Sequence, residues 1–169
     1  MSKLSVVRNL FSLPVKLIFT DLDGSLLDHH SYSFKPAVEM LEKLESKGIP
    51  VIPITSKTMA ELLPLRKLLN NQHPFIVENG AAIYIPQGYF LEQPKNAKSV
   101  DNFWVIENAA SRKNWLELLH SNSDEFVGEY QTFDSIFQQH GDEGIADLTG
   151  LSSEMAKLAN QRNFSEPVH

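Results

Sequence analysis

The sequence predicts an α/β fold built on a parallel sheet, and three observations carry that reading. An apolar run at residues 15–20, VKLIFT, stops abruptly at the acidic stretch DLDGSLLD, as a buried strand does when it feeds a polar loop. A helical stripe follows, then a second apolar run that ends in Thr55-Ser56-Lys57. Strand, helix, strand at this spacing implies a right-handed crossover between parallel strands. Ligands of open α/β sheets bind beyond the carboxyl ends of the strands, where Asp21 and Thr55 both fall.

The elements follow in order. Residues 35–47 place Ala37, Val38, Leu41 and Leu44 on one helical face, with Pro36 near the start and Gly48 just past the end. The second strand is residues 50–55. Pro53 lies inside it and cannot donate to a sheet ladder, which argues against a central position and for a bulge. A second helix over 58–70 opens with a Thr58…Glu61 capping box, but Pro64 sits deep enough to predict a kink or a late start. Apolar residues 75–78 and 81–85 flank Asn79-Gly80, a strong hairpin signal, so Glu78-Asn79-Gly80 reads as a turn. After about Gly88 the chain becomes polar and irregular. A strand at 103–107 and helices near 111–120, 133–139, 143–148 and 152–162 follow, read as a separate lobe.

Composition narrows the function. The 169 residues are 42% hydrophobic, enough for one good core or two small lobes of a soluble globular protein. Fifteen basic against 21 acidic residues give a formal charge of −6, which repels a phosphate backbone and argues against nucleic acid as a partner. The absence of cysteine excludes disulfides, thiolate zinc sites and cysteine nucleophiles. No apolar run approaches the roughly 20 residues that cross a bilayer, so no membrane span is expected and the location is read as cytoplasmic. The first 16 residues are acid-free, with Leu4, Val7, Leu10 and Phe11 at helical spacing. That faintly suggests a transit peptide; the preferred reading is a short amphipathic extension.

The chemistry rests on Asp21-Leu22-Asp23-Gly24-Ser25. Two carboxylates two residues apart after a strand can divide labour, one attacking phosphorus and the other exchanging a proton with the leaving or attacking oxygen. Gly24 permits a tight turn. Mg²⁺ fits between a carboxylate, a backbone carbonyl and a substrate phosphate, because it prefers octahedral oxygen ligands; Asp21 and Asp23 are its candidate ligands. An EF-hand reading fails, since Leu26 and Tyr32 stand where a glycine and a glutamate are needed. The bland alternative is an acidic turn that caps the next element. Thr55, Ser56 and Lys57 end the second strand before a helix, where a hydroxyl and backbone N–H groups can hold phosphate oxygens; simple helix capping is the competing reading. His29-His30 lack metal-ligand spacing and read as solvated loop residues.

LIFTDLDGSLLD, PITSKT, FIVENGAAIYIP and LTGLSSEMAKLANQRNFSEP together resemble the haloacid dehalogenase superfamily, and within it the mannosyl-3-phosphoglycerate phosphatases. The resemblance runs from about Val15 to the end of the chain. It implies a Rossmann-like core, here the first half only of its parallel sheet, carrying an inserted α+β cap. The division would be an extension at 1–14, core at 15–88 and cap at 89–169, with the return to the core missing. It also implies Mg²⁺, an aspartyl-phosphate intermediate and release of phosphate from a phosphorylated sugar-glycerate. Asp21 matches the nucleophile, Asp23 the acid/base and Thr55 the phosphate-binding hydroxyl. Arg162, Ser165 and Glu166 fall in a cap segment that either reaches substrate or is an ordinary helix end.

The pattern also departs from the superfamily. A lysine that neutralises phosphate and a later acidic segment that completes the metal site are both expected, and neither precedes His169. Gly141-Asp142-Glu143 is no substitute, since no apolar strand precedes it. The expectation is a truncated chain with metal and phosphate binding weakened by several kcal/mol. The alternatives are a phosphatase for another sugar phosphate and a non-catalytic phosphate-binding or regulatory fragment. Oligomeric state is not legible.

Overall fold

The structure is a computed structural model that describes residues 16–28, 32–122 and 130–169. The extension at 1–14 and His29-His30 lie outside the described residues. The protein is α/β. Strand β1 (Ile18–Thr20) runs parallel to β2 (Val51–Pro53), with Ile18 opposite Val51 and Thr20 opposite Pro53. Between them a 3-10 turn (Lys35–Ala37) leads into α1 (Val38–Ser46), which closes at Gly48. Gly48 has φ 65 there and donates to the Glu45 carbonyl at 2.9 Å.

Pro53 causes no bulge. The β1–β2 register is unbroken through it, because Ile54 donates to Thr20 at 2.8 Å while Thr55 donates to Ile76 at 3.1 Å. Odd-numbered nitrogens of β2 therefore face the strand that carries Ile76, and the missing N–H of Pro53 falls where that pairing has not yet begun. Helix α2 (Met59–Leu68) runs through Pro64 without a non-helical residue. The expected late start is absent: the helix begins directly at the capping box, both arms of which are present.

Strand β3 (Phe75–Val77) joins β2 through one parallel bridge, Ile54–Ile76. It then pairs antiparallel with β4 (Ala82–Pro86), in a sheet ordered β3-β4-β6-β5 with β5 (Lys98–Val100) and β6 (Phe103–Glu107). β6 lies along the whole of β4. The hairpin turn is longer than the two residues expected. Val77 pairs with Ala82, which leaves Glu78 to Ala81 as the loop.

Helix α3 (Arg112–Asn122) follows, then α4 (Phe133–Thr149) and α5 (Ser153–Ala159). The two helices read at 133–148 form one run interrupted at Gly141, whose φ of 67 and ψ of −160 turn the chain. The larger core gathers Leu22, Leu62, Phe75, Val77, Tyr84, Val105 and Phe164; Phe75 stacks on Tyr84 at 5.2 Å and Phe103 meets both edge-on. A second cluster, Phe133, Ile136, Ile145 and Ala156, joins α4 to α5. The two are tied together where Thr58 Oγ1 donates to the Leu158 carbonyl at 2.9 Å. Among the described residues no helix is long and apolar enough to cross a membrane.

Candidate active site

The acidic loop is held by its leucines. Leu22 and Leu27 are buried in the sheet core, and Leu27 donates to the Leu22 carbonyl at 2.8 Å, closing a compact turn. Gly24 sits in it at φ 71, a conformation that costs glycine little. The flanking carboxylates are thereby presented at the carboxyl end of β1. Asp21 is exposed, and its Oδ1 accepts the Leu22 N–H at 2.7 Å.

Thr55 is buried at the carboxyl end of β2, and its hydroxyl oxygen accepts the Lys57 N–H at 3.1 Å. Its own proton stays available to an incoming oxygen. That turn delivers Lys57 to the acidic loop, where Nζ lies 3.0 Å from Asp23 Oδ2 and 5.9 Å from the Tyr32 ring centroid. The sequence placed Lys57 in a phosphate cluster; its pairing with Asp23 is new. The other Asp23 oxygen, Oδ1, is buried without a hydrogen-bond partner. An orphaned carboxylate oxygen of this kind fits a hard cation or a proton donor arriving with a ligand. Asp21 and Asp23 are the two carboxylates at this loop that such a cation would meet, and no group of three acidic or histidine side chains able to hold a metal is found among the described residues.

Ser56 is exposed and contributes its carbonyl, which accepts from Arg162 Nη2 at 2.7 Å. Arg162 also donates through Nε to Ser165 Oγ at 2.9 Å. Burial lowers the Arg162 pKa, against the pull of Glu78, which raises it. Arg162 and Ser165 therefore sit beside the Thr55-Ser56-Lys57 loop, engaged with protein groups, while Glu166 pairs with Arg112 and accepts the Asp134 N–H at 2.8 Å.

The residue that joins these parts is one the sequence reading passed over. Glu78 is fully buried and accepts from Asn163 N at 3.0 Å, Phe164 N at 3.1 Å and Ser165 Oγ at 2.6 Å, with Arg162 Nε at 3.9 Å. A signal was present: a lone acid at the end of the apolar run FIV, on the same sheet edge as Asp21 and Thr55. The turn signal of Asn79-Gly80 masked it.

The chain is 37% identical over 154 residues to a glucosyl-3-phosphoglycerate/mannosyl-3-phosphoglycerate phosphatase of Persephonella marina, and 39% identical over 153 residues to one of Methanococcoides burtonii. Each match covers 89% of this chain and 54% of the relative, so the chain spans about half the length of these relatives. A solved phosphatase of the haloalkanoate enzyme superfamily from Bacteroides thetaiotaomicron superposes with a TM-score of 0.50 at 19% identity, covering 76% of this chain and 41% of that one. It supports the fold alone. A family model of haloacid dehalogenase-like hydrolases matches residues 18–162, and the chain belongs to that family.

Proposed function

We propose that this chain carries the nucleophile half of a magnesium-dependent phosphatase acting on a phosphorylated sugar-glycerate, mannosyl-3-phosphoglycerate or its glucosyl counterpart. The observation that carries the reading is the meeting of Asp21, Asp23, Thr55 and Lys57 at the carboxyl ends of β1 and β2, with Lys57 Nζ 3.0 Å from Asp23. The relatives named for that activity give the substrate class.

In this reading Asp21 attacks phosphorus through Oδ2, since Oδ1 is held by the Leu22 N–H. The P–O bond to the glycerate oxygen breaks as Asp23, carrying a proton on the Oδ1 that no protein group holds, gives it to that oxygen and returns to the carboxylate, leaving phosphate on Asp21. Asp23 then takes a proton from water, water attacks the phosphorus, and inorganic phosphate leaves with Asp21 restored. The Thr55 hydroxyl donates to a phosphate oxygen, and Ser56 and Lys57 supply further contacts. Mg²⁺, held by Asp21 and the Asp23 segment, would supply charge neutralisation between anionic nucleophile and anionic substrate. Residues 15–88 act as core and 89–169 as cap, with Arg162 and Ser165 reaching the substrate side, in a cytoplasmic setting.

The test is turnover of the phosphorylated sugar-glycerate with Mg²⁺. Asp21→Asn should abolish it, and undiminished turnover in that variant removes Asp21 from its role. A second reading, a phosphate-binding module without turnover, is favoured by the absence of a third acidic or histidine group near the pair among the described residues. Phosphate binding without hydrolysis of any sugar phosphate would select it.

A further inference from the structure

A broad cavity of about 860 Å³, widely open to solvent, lies between the 78–81 turn, the end of β6, one flank of α3 and the segment at 164–166. The turn that floors it is hydrogen-bonded to the Thr55-Ser56-Lys57 loop. Asn79 donates its backbone N–H to the Thr55 carbonyl at 3.0 Å, and Glu78 donates its own to the Lys57 carbonyl at 3.0 Å. The lining is mixed. Trp115 and Leu118 bring apolar surface that is 41% and 55% exposed, while Asn79 and Asn108 bring amides. Aromatic and aliphatic surface beside a few amides suits a polyhydroxylated ring, and the volume lies in the range of small-molecule sites.

One wall of the cavity, Phe164 and Ser165, comes from far along the chain. Glu78 ties it to the floor through its bonds to Asn163, Phe164 and Ser165, residues 85 to 87 positions away. It does so from a backbone φ of 49, in the left-handed region that glutamate rarely adopts. Strain of that kind persists only where surrounding contacts over-determine it, and it gathers at sites with a task.

We propose that Glu78 is a positioning residue for substrate choice: it fastens 163–165 as the wall of this cavity, and the cavity takes the non-phosphate part of a phosphorylated sugar acid. The choice of ligand class rests on the phosphatase reading. The latch itself stands on the geometry.

Glu78→Gln keeps the size of the side chain and loses one acceptor oxygen, so a donor of the wall is left unpaired. Calorimetric titration with mannosylglycerate, the dephosphorylated sugar acid, reads the cavity; inorganic phosphate with Mg²⁺ reads the loop. The variant should bind mannosylglycerate about ten-fold or more weakly and phosphate within about two-fold of the unaltered chain. The amides of Asn163 and Phe164 should exchange with deuterium faster. Ser165→Ala removes one donor and leaves the Glu78 charge in place; because Ser165 itself lines the cavity, faster exchange at 163–164, rather than weaker mannosylglycerate binding, decides the matter where Glu78→Gln does not fold. Equal loss of both ligands, unchanged exchange at 163–164, or no binding of mannosylglycerate to the unaltered chain overturns the proposal. Turnover separates the two readings. Mannosylglycerate binding that depends on Glu78, without hydrolysis of the phosphorylated form, refutes the phosphatase and keeps the cavity; hydrolysis with binding indifferent to Glu78 does the reverse.

Discussion

Replacing Thr58 by valine keeps the shape of a completely buried side chain and removes one hydroxyl. That hydroxyl accepts the Glu61 N–H at 3.1 Å and donates to the Leu158 carbonyl at 2.9 Å, so it caps α2 and fastens α5 to it. Losing the cap costs about 1 kcal/mol. The Leu158 carbonyl keeps the Gln161 N–H at 3.1 Å, so losing the Thr58 donor adds only about 1 kcal/mol. The sum is roughly 2 kcal/mol. Thr58→Ser keeps both hydrogen bonds and gives up one methyl group, about 1 kcal/mol. Urea denaturation reads the difference: with a slope of about 2 kcal/mol/M, the valine variant should lose about 1 M from its midpoint and the serine variant about half a molar. A valine variant within about 0.5 kcal/mol of the unaltered chain, or a serine variant equally damaged, refutes the reasoning. Since α2 begins two residues after Lys57, the valine variant should also weaken phosphate binding, and the serine variant should not.

Two further outcomes follow from single contacts. Lys57→Met removes the ammonium group 3.0 Å from Asp23, and affinity for inorganic phosphate should fall about ten-fold, the value of one charge-assisted contact. Its stability should change by less than about 1 kcal/mol, because the pair is partly open to solvent; unchanged phosphate affinity places Lys57 outside the site. Tyr84 has its pKa raised above 10, chiefly by burial and then by Glu78 and Glu107, against a hydrogen bond from Asn163. Above pH 10 the unfolded chain therefore releases a proton that the folded chain keeps, so stability falls as pH rises through the window between the two values. Tyr84→Phe preserves the ring on Phe75 and should flatten that alkaline fall in unfolding measured at pH 9 and pH 11; an identical slope in both proteins counts against the assignment.

Local signals were legible where they were self-contained. The apolar run before Asp21, the Thr58…Glu61 box and the break at Gly141 each depend on a few neighbouring residues, and each is present. Pro53 misled because a one-sided strand argument ignores which edge its nitrogen faces. The stripe on α1 is present too: Ala37, Val38, Leu41 and Leu44 are half-buried while the remaining residues of the helix are exposed. At the site, the loops that carry Asp21, Asp23, Thr55 and Lys57 could be read from strand ends and glycine. The Asp23–Lys57 pair and the Glu78 latch could not. They join residues 34 and more than 80 positions apart, and such contacts are fixed by packing of whole elements rather than by any local pattern.

Charge then decides what these residues can bind unaided. Asp21 and Asp23 are two carboxylates, and the Lys57 ammonium balances one of them. In the proposed reading Asp21 is left to face a phosphate dianion; at about 4 Å and an effective dielectric of about 20, each unit of charge repels by about 4 kcal/mol. Solvent at this exposed position reduces the figure, but its sign stands. A divalent cation between the two reverses it. Inorganic phosphate titrated by calorimetry should therefore bind the unaltered chain far better with Mg²⁺ than in EDTA. Asp21→Asn removes the repelling charge, so in EDTA it should bind phosphate more tightly than the unaltered chain, by about ten-fold or more, while losing most of its response to Mg²⁺. A variant that gains nothing in EDTA shows that Asp21 does not face the phosphate, and then neither its attack on phosphorus nor its share in a metal shell survives.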